Sequence, residues 1–135
     1  MDRSRFLAGL IGPTFLALSL AIVLNRAELP AMVESLRDDR LLVLLAGAVI
    51  FATGLAIVRS HWLWRGWPAV VTVIGCLGVL GGLVRMLAPG LVIDEADATL
   101  RLPFALPLAA AATAALGLFL TFQGYRSPRR SETAR

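Results

Sequence analysis

Lysine is absent from this chain, histidine and cysteine occur once each, and charged residues make up only 16% of its 135 positions. Each scarcity excludes something. A lone thiol, Cys76, admits no intramolecular disulfide and no cysteine-based metal cluster, and inside an apolar run it gives no indication of redox compartment. A lone histidine, His61, cannot supply both axial ligands of a bis-histidine haem. Histidine and glutamate form no metal-binding cluster, no nucleophile stands beside a base, and no glycine loop is built for phosphate. The long apolar runs contain no Asp, Glu or Lys. Proton-coupled transport ordinarily needs an ionisable group at membrane depth, and arginine does not release its proton. The expectation is a non-enzyme with no cofactor and no metal.

What is present is apolar: 58% of the residues are hydrophobic, too many for an ordinary soluble domain. All thirteen basic residues are arginine, giving a net charge of +4. They sit between the apolar blocks and at the C-terminus, so they read as topology signals and not as a nucleic-acid surface. Four runs, 6–24, 41–58, 69–88 and 102–122, are 18–21 residues long. At ~1.5 Å per residue each covers most of a ~30 Å hydrocarbon core. The first is too long for a signal-peptide core of about 7–15 residues and no A-x-A pattern follows it, so it is expected to be retained. The fold class expected is an all-α membrane protein: a single four-transmembrane-helix bundle over 1–122, with a polar, arginine-rich, disordered tail at 123–135.

The connections carry their own signals. In the first loop, Leu29, Met32, Val33 and Leu36 follow helical spacing while Glu28, Glu34, Arg37, Asp38 and Asp39 take the other side, which predicts a short amphipathic helix at the membrane surface. The second loop carries Trp62, Trp64 and Trp67, whose amphipathic rings favour the headgroup layer and read as interface anchors. Pro68 opens the third helix at a position where proline is tolerated. The stretch 89–101, with Asp94, Glu95 and Asp97, reads as a third loop, and Pro103 as the first turn of the last helix.

Small residues mark candidate helix-packing faces, because association in lipid depends on close approach of backbones. Ala48, Ala52 and Ala56 form one such column, Gly75, Gly78 and Gly82 a second, and Ala109, Thr113 and Gly117 a third. Arg85, about one turn from the end of the third helix, is near enough to snorkel to headgroups, or to contact an anion or a partner.

The residues His61, Trp64, Trp67, Thr72, Gly75, Gly82, Arg85 and Pro89 together form a pattern that resembles an uncharacterised family of small bacterial four-helix inner-membrane proteins. The chain departs from that pattern at Trp62 in place of Asn, Cys76 in place of a second Trp, and Gly81 in place of Lys. The resemblance implies four membrane helices and a multi-pass location in the bacterial inner membrane, and it brings no activity. The chain differs from the small multidrug transporters, which carry an acid in the first helix, and from four-helix thiol oxidases, which need paired cysteines.

Three functions fit these observations. The first is an accessory or scaffold subunit packing against other membrane proteins, or itself, through small-residue faces. The second is an oligomeric transporter or channel lined by Thr72, Gly75, Gly78 and Arg85. The third is a cofactor-binding subunit using His61. The missing acids and the single histidine favour the first.

Orientation follows from the arginines. With the N-terminus cytoplasmic, Arg3, Arg5, Arg59, Arg65, Arg126, Arg129, Arg130 and Arg135 lie inside, and Arg26, Arg37, Arg40, Arg85 and Arg101 outside, a distribution of 8 to 5. An N-in/C-in topology predicts that reporter fusions after Arg40 and Glu95 read as periplasmic and those after Arg65 and Arg130 as cytoplasmic. A periplasmic signal from the tail fusion would refute four spans.

Overall fold

The computed structural model describes residues 3–60, 62 and 64–126. Among the described residues it is all-helical, with six helices: α1 (Arg3–Leu24), α2 (Leu29–Asp38), α3 (Arg40–Ser60), α4 (Pro68–Leu87), α5 (Pro89–Leu100) and α6 (Ala105–Tyr125). Four of them, α1, α3, α4 and α6, are 20–22 residues long and apolar enough to cross a membrane. Their outward leucines, among them Leu10, Leu18, Leu45, Leu77 and Leu118, are exposed, as lipid-facing side chains are.

Local chemistry sets the helix ends. Pro68 and Pro89 each begin a helix, where the missing N–H has no partner to lose. Ala88, pushed out of helical geometry by the proline that follows it, separates α4 from α5. Asp39 caps α3 by accepting a hydrogen bond from the Leu42 N–H at 3.2 Å.

Two expectations need correction here. The stretch 89–101 is not a loop: after Pro89 it forms α5, which buries Ile93. Its acids obscured an apolar spacing of 93, 96 and 100 that suits a helix. The last helix starts at Ala105, beyond Pro103, and runs to Tyr125, so part of the stretch read as a tail is helical.

The long helices do not pack evenly. They form two antiparallel pairs, α1 with α6 and α3 with α4. Glycine draws each pair together. A Cβ placed on Gly12 would lie 2.5 Å from the Thr121 backbone nitrogen, and one on Gly117 would lie 2.9 Å from that of Leu16. In the other pair, a Cβ on Gly54 would lie 2.5 Å from the Val79 nitrogen and one on Gly82 2.5 Å from the Phe51 nitrogen. Ser19 adds a buried hydrogen bond, donating from Oγ to the Ala110 carbonyl at 2.9 Å. The pairs meet near the tryptophan loop, where Ala8 and Ile11 of α1 and Leu120 of α6 form one buried cluster with Ile57 of α3 and Val71 of α4. At the opposite end α2 packs on α5.

This packing predicts a contrast among glycines. Gly54→Ala and Gly82→Ala should each lower stability by about 1–3 kcal/mol, since overpacking against backbone outweighs a helix-propensity gain of at most ~1 kcal/mol. Gly90→Ala meets nothing within 4 Å and should be neutral or slightly stabilising. Unfolding in mixed micelles titrated with dodecyl sulfate measures all three, and equal tolerance would mean that α3 and α4 do not meet at these glycines.

Candidate functional site

Arg85 lies in the last turn of α4, half-buried against α3. Its stem crosses Gly47, where an added Cβ would come within 2.7 Å of the Arg85 Cβ. Its head turns back along its own helix, and Nη1 donates to the Gly81 carbonyl at 3.0 Å. The head occupies the space a side chain on residue 81 would take, 3.1 Å from a Cβ built there. Two glycines therefore make room for this arginine, one under the stem and one under the guanidinium.

Of the acids nearest to Arg85 in sequence, Asp94 and Asp97 are engaged elsewhere. Arg37 Nη1 of α2 donates to Asp94 Oδ1 of α5 at 2.8 Å and Arg37 Nε to Glu34 Oε2 at 3.2 Å. Asp97 lies 3.7 Å from Arg37 Nη2 and accepts from Arg101 Nη2 at 2.9 Å. The hydrogen bond to Asp94 is the main reason the Arg37 pKa is raised above its usual value. These pairs are largely exposed, and contacts of this kind add little to stability.

The glycine face of α4 is filled by α3. Gly75 faces Ile57, Gly78 faces Gly54, and Gly82 faces Phe51 and Gly47, and Thr72 is fully buried. The alanine columns lie differently. Ala48 is half-buried, and Ala52, Ala56 and Ala109 are exposed. Thr113 is half-buried, while Gly117 packs tightly on α1. Gly12, Gly47, Gly54 and Gly124 are not among the faces expected from the sequence. A seven-residue spacing would have found most of them: Gly47 and Gly54, Gly75 and Gly82, Gly117 and Gly124. That period keeps one seam facing a partner helix.

The three tryptophans part company. Trp62 and Trp64 are exposed and meet edge to face, with ring centroids 5.5 Å apart at 80°. Trp67 turns inward and packs against the buried cluster. His61 lies outside the described residues.

A second feature was not anticipated. A groove of about 540 Å³ opens between the end of α1 and the start of α6, lined by Ile22, Val23, Arg26, Leu106, Pro107 and Ala110 among others. Arg26 is exposed, and among the described residues it makes no hydrogen bond or ion pair.

No protein-family model, curated protein or solved structure matches this chain.

The Arg85 geometry generates a test. One hydrogen bond to a backbone carbonyl can be made equally by an ammonium, so Arg85→Lys should stay within about 1 kcal/mol of wild type and assemble normally. Leucine at this position removes both charge and bond. A lysine variant as impaired as Arg85→Leu in stability or growth would show that the planar guanidinium recognises an anion or carboxylate.

Proposed function

We propose that this protein is a non-enzymatic, multi-pass accessory or scaffold subunit of a bacterial inner membrane, oriented N-in/C-in. In this reading it is a single four-helix transmembrane domain that belongs with the small four-helix proteins whose pattern residues 61–89 resemble. The arginine distribution supports the orientation. The position of α2 and α5 together at one end is consistent with it, since both would then lie on the periplasmic side. There α2 would rest on the membrane surface as a short amphipathic helix, its leucine and methionine side toward lipid.

One observation carries the scaffold reading. The glycines that permit backbone contact are used inside the chain, so two helix pairs are already complete before any partner arrives. The column Ala52 and Ala56, with Ala48 at its edge, is left outward on α3. Small side chains exposed at helical spacing give another membrane helix a place to approach closely. This revises which face is offered: the alanines are available to a partner, whereas Gly75 and Gly82 are buried against α3. The partners implied are the bilayer and other membrane proteins, or a second copy, and not nucleic acid.

A mild-detergent pull-down with mass spectrometry tests this. Co-purifying membrane proteins are expected, and Ala52→Phe should reduce their recovery at least about fivefold, the loss that follows from ~1 kcal/mol of packing. Ala46→Phe, an exposed position roughly a third of a turn away, should not. A bare homo-oligomer whose assembly Ala52→Phe leaves intact would favour the transporter reading, and a coloured preparation would favour a cofactor at His61. Equal effects of the two substitutions would remove the alanine face from the proposal.

A further inference from the structure

The groove at the end of α1 and the start of α6 is built by the distribution of glycine and proline along this pair. Close backbone contact occurs at Gly9, Gly12, Gly117 and Gly124, all toward one end. No glycine falls within 13–24 or 105–116, and the tight glycine contacts of this pair stop short of the other end. The Ser19–Ala110 hydrogen bond is the last tight tie described there. Beyond it, Ile22 and Val23 face Leu106 and Pro107 across open space. The rigid ring of Pro107 stands in the first turn of α6, and its missing N–H costs nothing there.

The chemistry of the groove is uneven. Its lining is apolar except for Arg26, the one charged residue in it, two positions beyond the end of the spanning helix. Among the described residues that guanidinium has no partner. Two other arginines at the same end are committed, Arg37 to Asp94 and Glu34 and Arg101 to Asp97, and Arg40 lies outside the groove. A slot for hydrocarbon with an uncommitted cation at its mouth, at the level where headgroups begin, has the chemistry of an anionic amphiphile reversed. The volume, about 540 Å³, falls within the usual range for a small-ligand site.

We propose that this groove holds one acyl chain of an anionic phospholipid from the adjoining leaflet, with the lipid phosphate on Arg26. The proposal rests on α1 and α6 spanning a bilayer. Guanidinium matches a phosphate through paired N–H donors, which gives a geometric preference as well as charge. The acyl chain contributes shape but little selectivity, because bilayer hydrocarbon is as apolar as the groove. Headgroup preference therefore depends on Arg26, and it is the quantity to measure.

Native mass spectrometry of the full chain in mild detergent, offered phosphatidylglycerol and phosphatidylcholine with identical acyl chains, reads this preference directly. Wild type should favour phosphatidylglycerol by roughly 1.5- to fivefold, the range of one exposed charge pair. Arg26→Gln should bring the ratio to about one, and Arg26→Lys, which keeps the charge but loses the paired donors, should fall between the two. Arg40→Gln, a charge removed at the same end but outside the groove, should leave the ratio unchanged. Val23→Trp, at a position already 52% exposed, should fill the slot and lower occupancy by both lipids. Equal binding of the two lipids by wild type, or an unchanged ratio in Arg26→Gln, would overturn the proposal. So would displacement of bound lipid by millimolar inorganic phosphate, which would indicate an anion site without a chain.

Discussion

Where helices meet in hydrocarbon there is no water to expel, so the gain must come from how closely their atoms approach. In this chain the approach is set by glycine. The position a Cβ would take on glycine is held by its second Hα, and in both pairs that hydrogen points at a facing carbonyl. It points from Gly82 toward the Gly47 carbonyl and from Gly47 toward the Gly82 carbonyl, the built Cβ positions lying 2.7 and 3.0 Å from those oxygens. Gly54 addresses the Gly75 carbonyl and Gly117 the Gly12 carbonyl in the same way, at 2.8 and 3.0 Å. Weak Cα–H···O contacts of this kind contribute ~0.5–1 kcal/mol each, and in α3 and α4 they recur at seven-residue intervals. The surrounding dispersion contacts exist only because the backbones are this near.

That constraint explains why the four long helices are two pairs before they are a group. Within a pair the tie is backbone against backbone. Between pairs it is the cluster of Ala8, Ile11 and Leu120 with Ile57 and Val71, and on the far side the meeting of α2 with α5. The ion pairs of Arg37 and Arg101 on that far side are exposed and screened by salt, so their role is to align α2 on α5 more than to hold the molecule closed. The short helices can do this because the chain leaves one pair at Leu24 and Leu87 and joins the other at Arg40 and Ala105, always at the same end.

Much of the fold was legible in the sequence. Uncharged or nearly uncharged runs of spanning length do not need tertiary context to be recognised, and the four long helices fall within a few residues of them. The short helix at 29–38 was readable from its spacing as well. What escaped was information that needs a partner. Acids at 94, 95 and 97 looked like solvent-facing loop chemistry because Arg37, to which Asp94 and Asp97 pair, lies more than fifty positions away. Ala48, Ala52 and Ala56 looked like a packing face because a run of i+4 small residues is conspicuous in any glycine- and alanine-rich helix. The seam in use follows the 3.5-residue period, and Gly47 and Gly54 gain their meaning only opposite Gly82 and Gly75. Trp67 was grouped with its neighbours by residue type, and only the position of Val71 and Ile57 distinguishes it.

Two arginines near the ends of spanning helices show how local backbone decides what a charge can do. Arg85 lies inside the α3–α4 seam, and the helix supplies its acceptor: with no side chain at Gly81, the carbonyl beneath is open to the guanidinium. A cation satisfied in this way needs no ligand to be tolerated near hydrocarbon, and it has less to offer one. Arg26 lies past the last turn of α1, on a helix whose neighbour has no glycine nearby to bring it close. Among the described residues its guanidinium makes no hydrogen bond or ion pair, while Asp94 and Asp97 at the same end are paired with Arg37 and Arg101. The same guanidinium group is thus committed in one place and available in the other. The difference traces to glycine: its presence closes α3 onto α4 around Arg85, and its absence leaves α1 and α6 open beside Arg26.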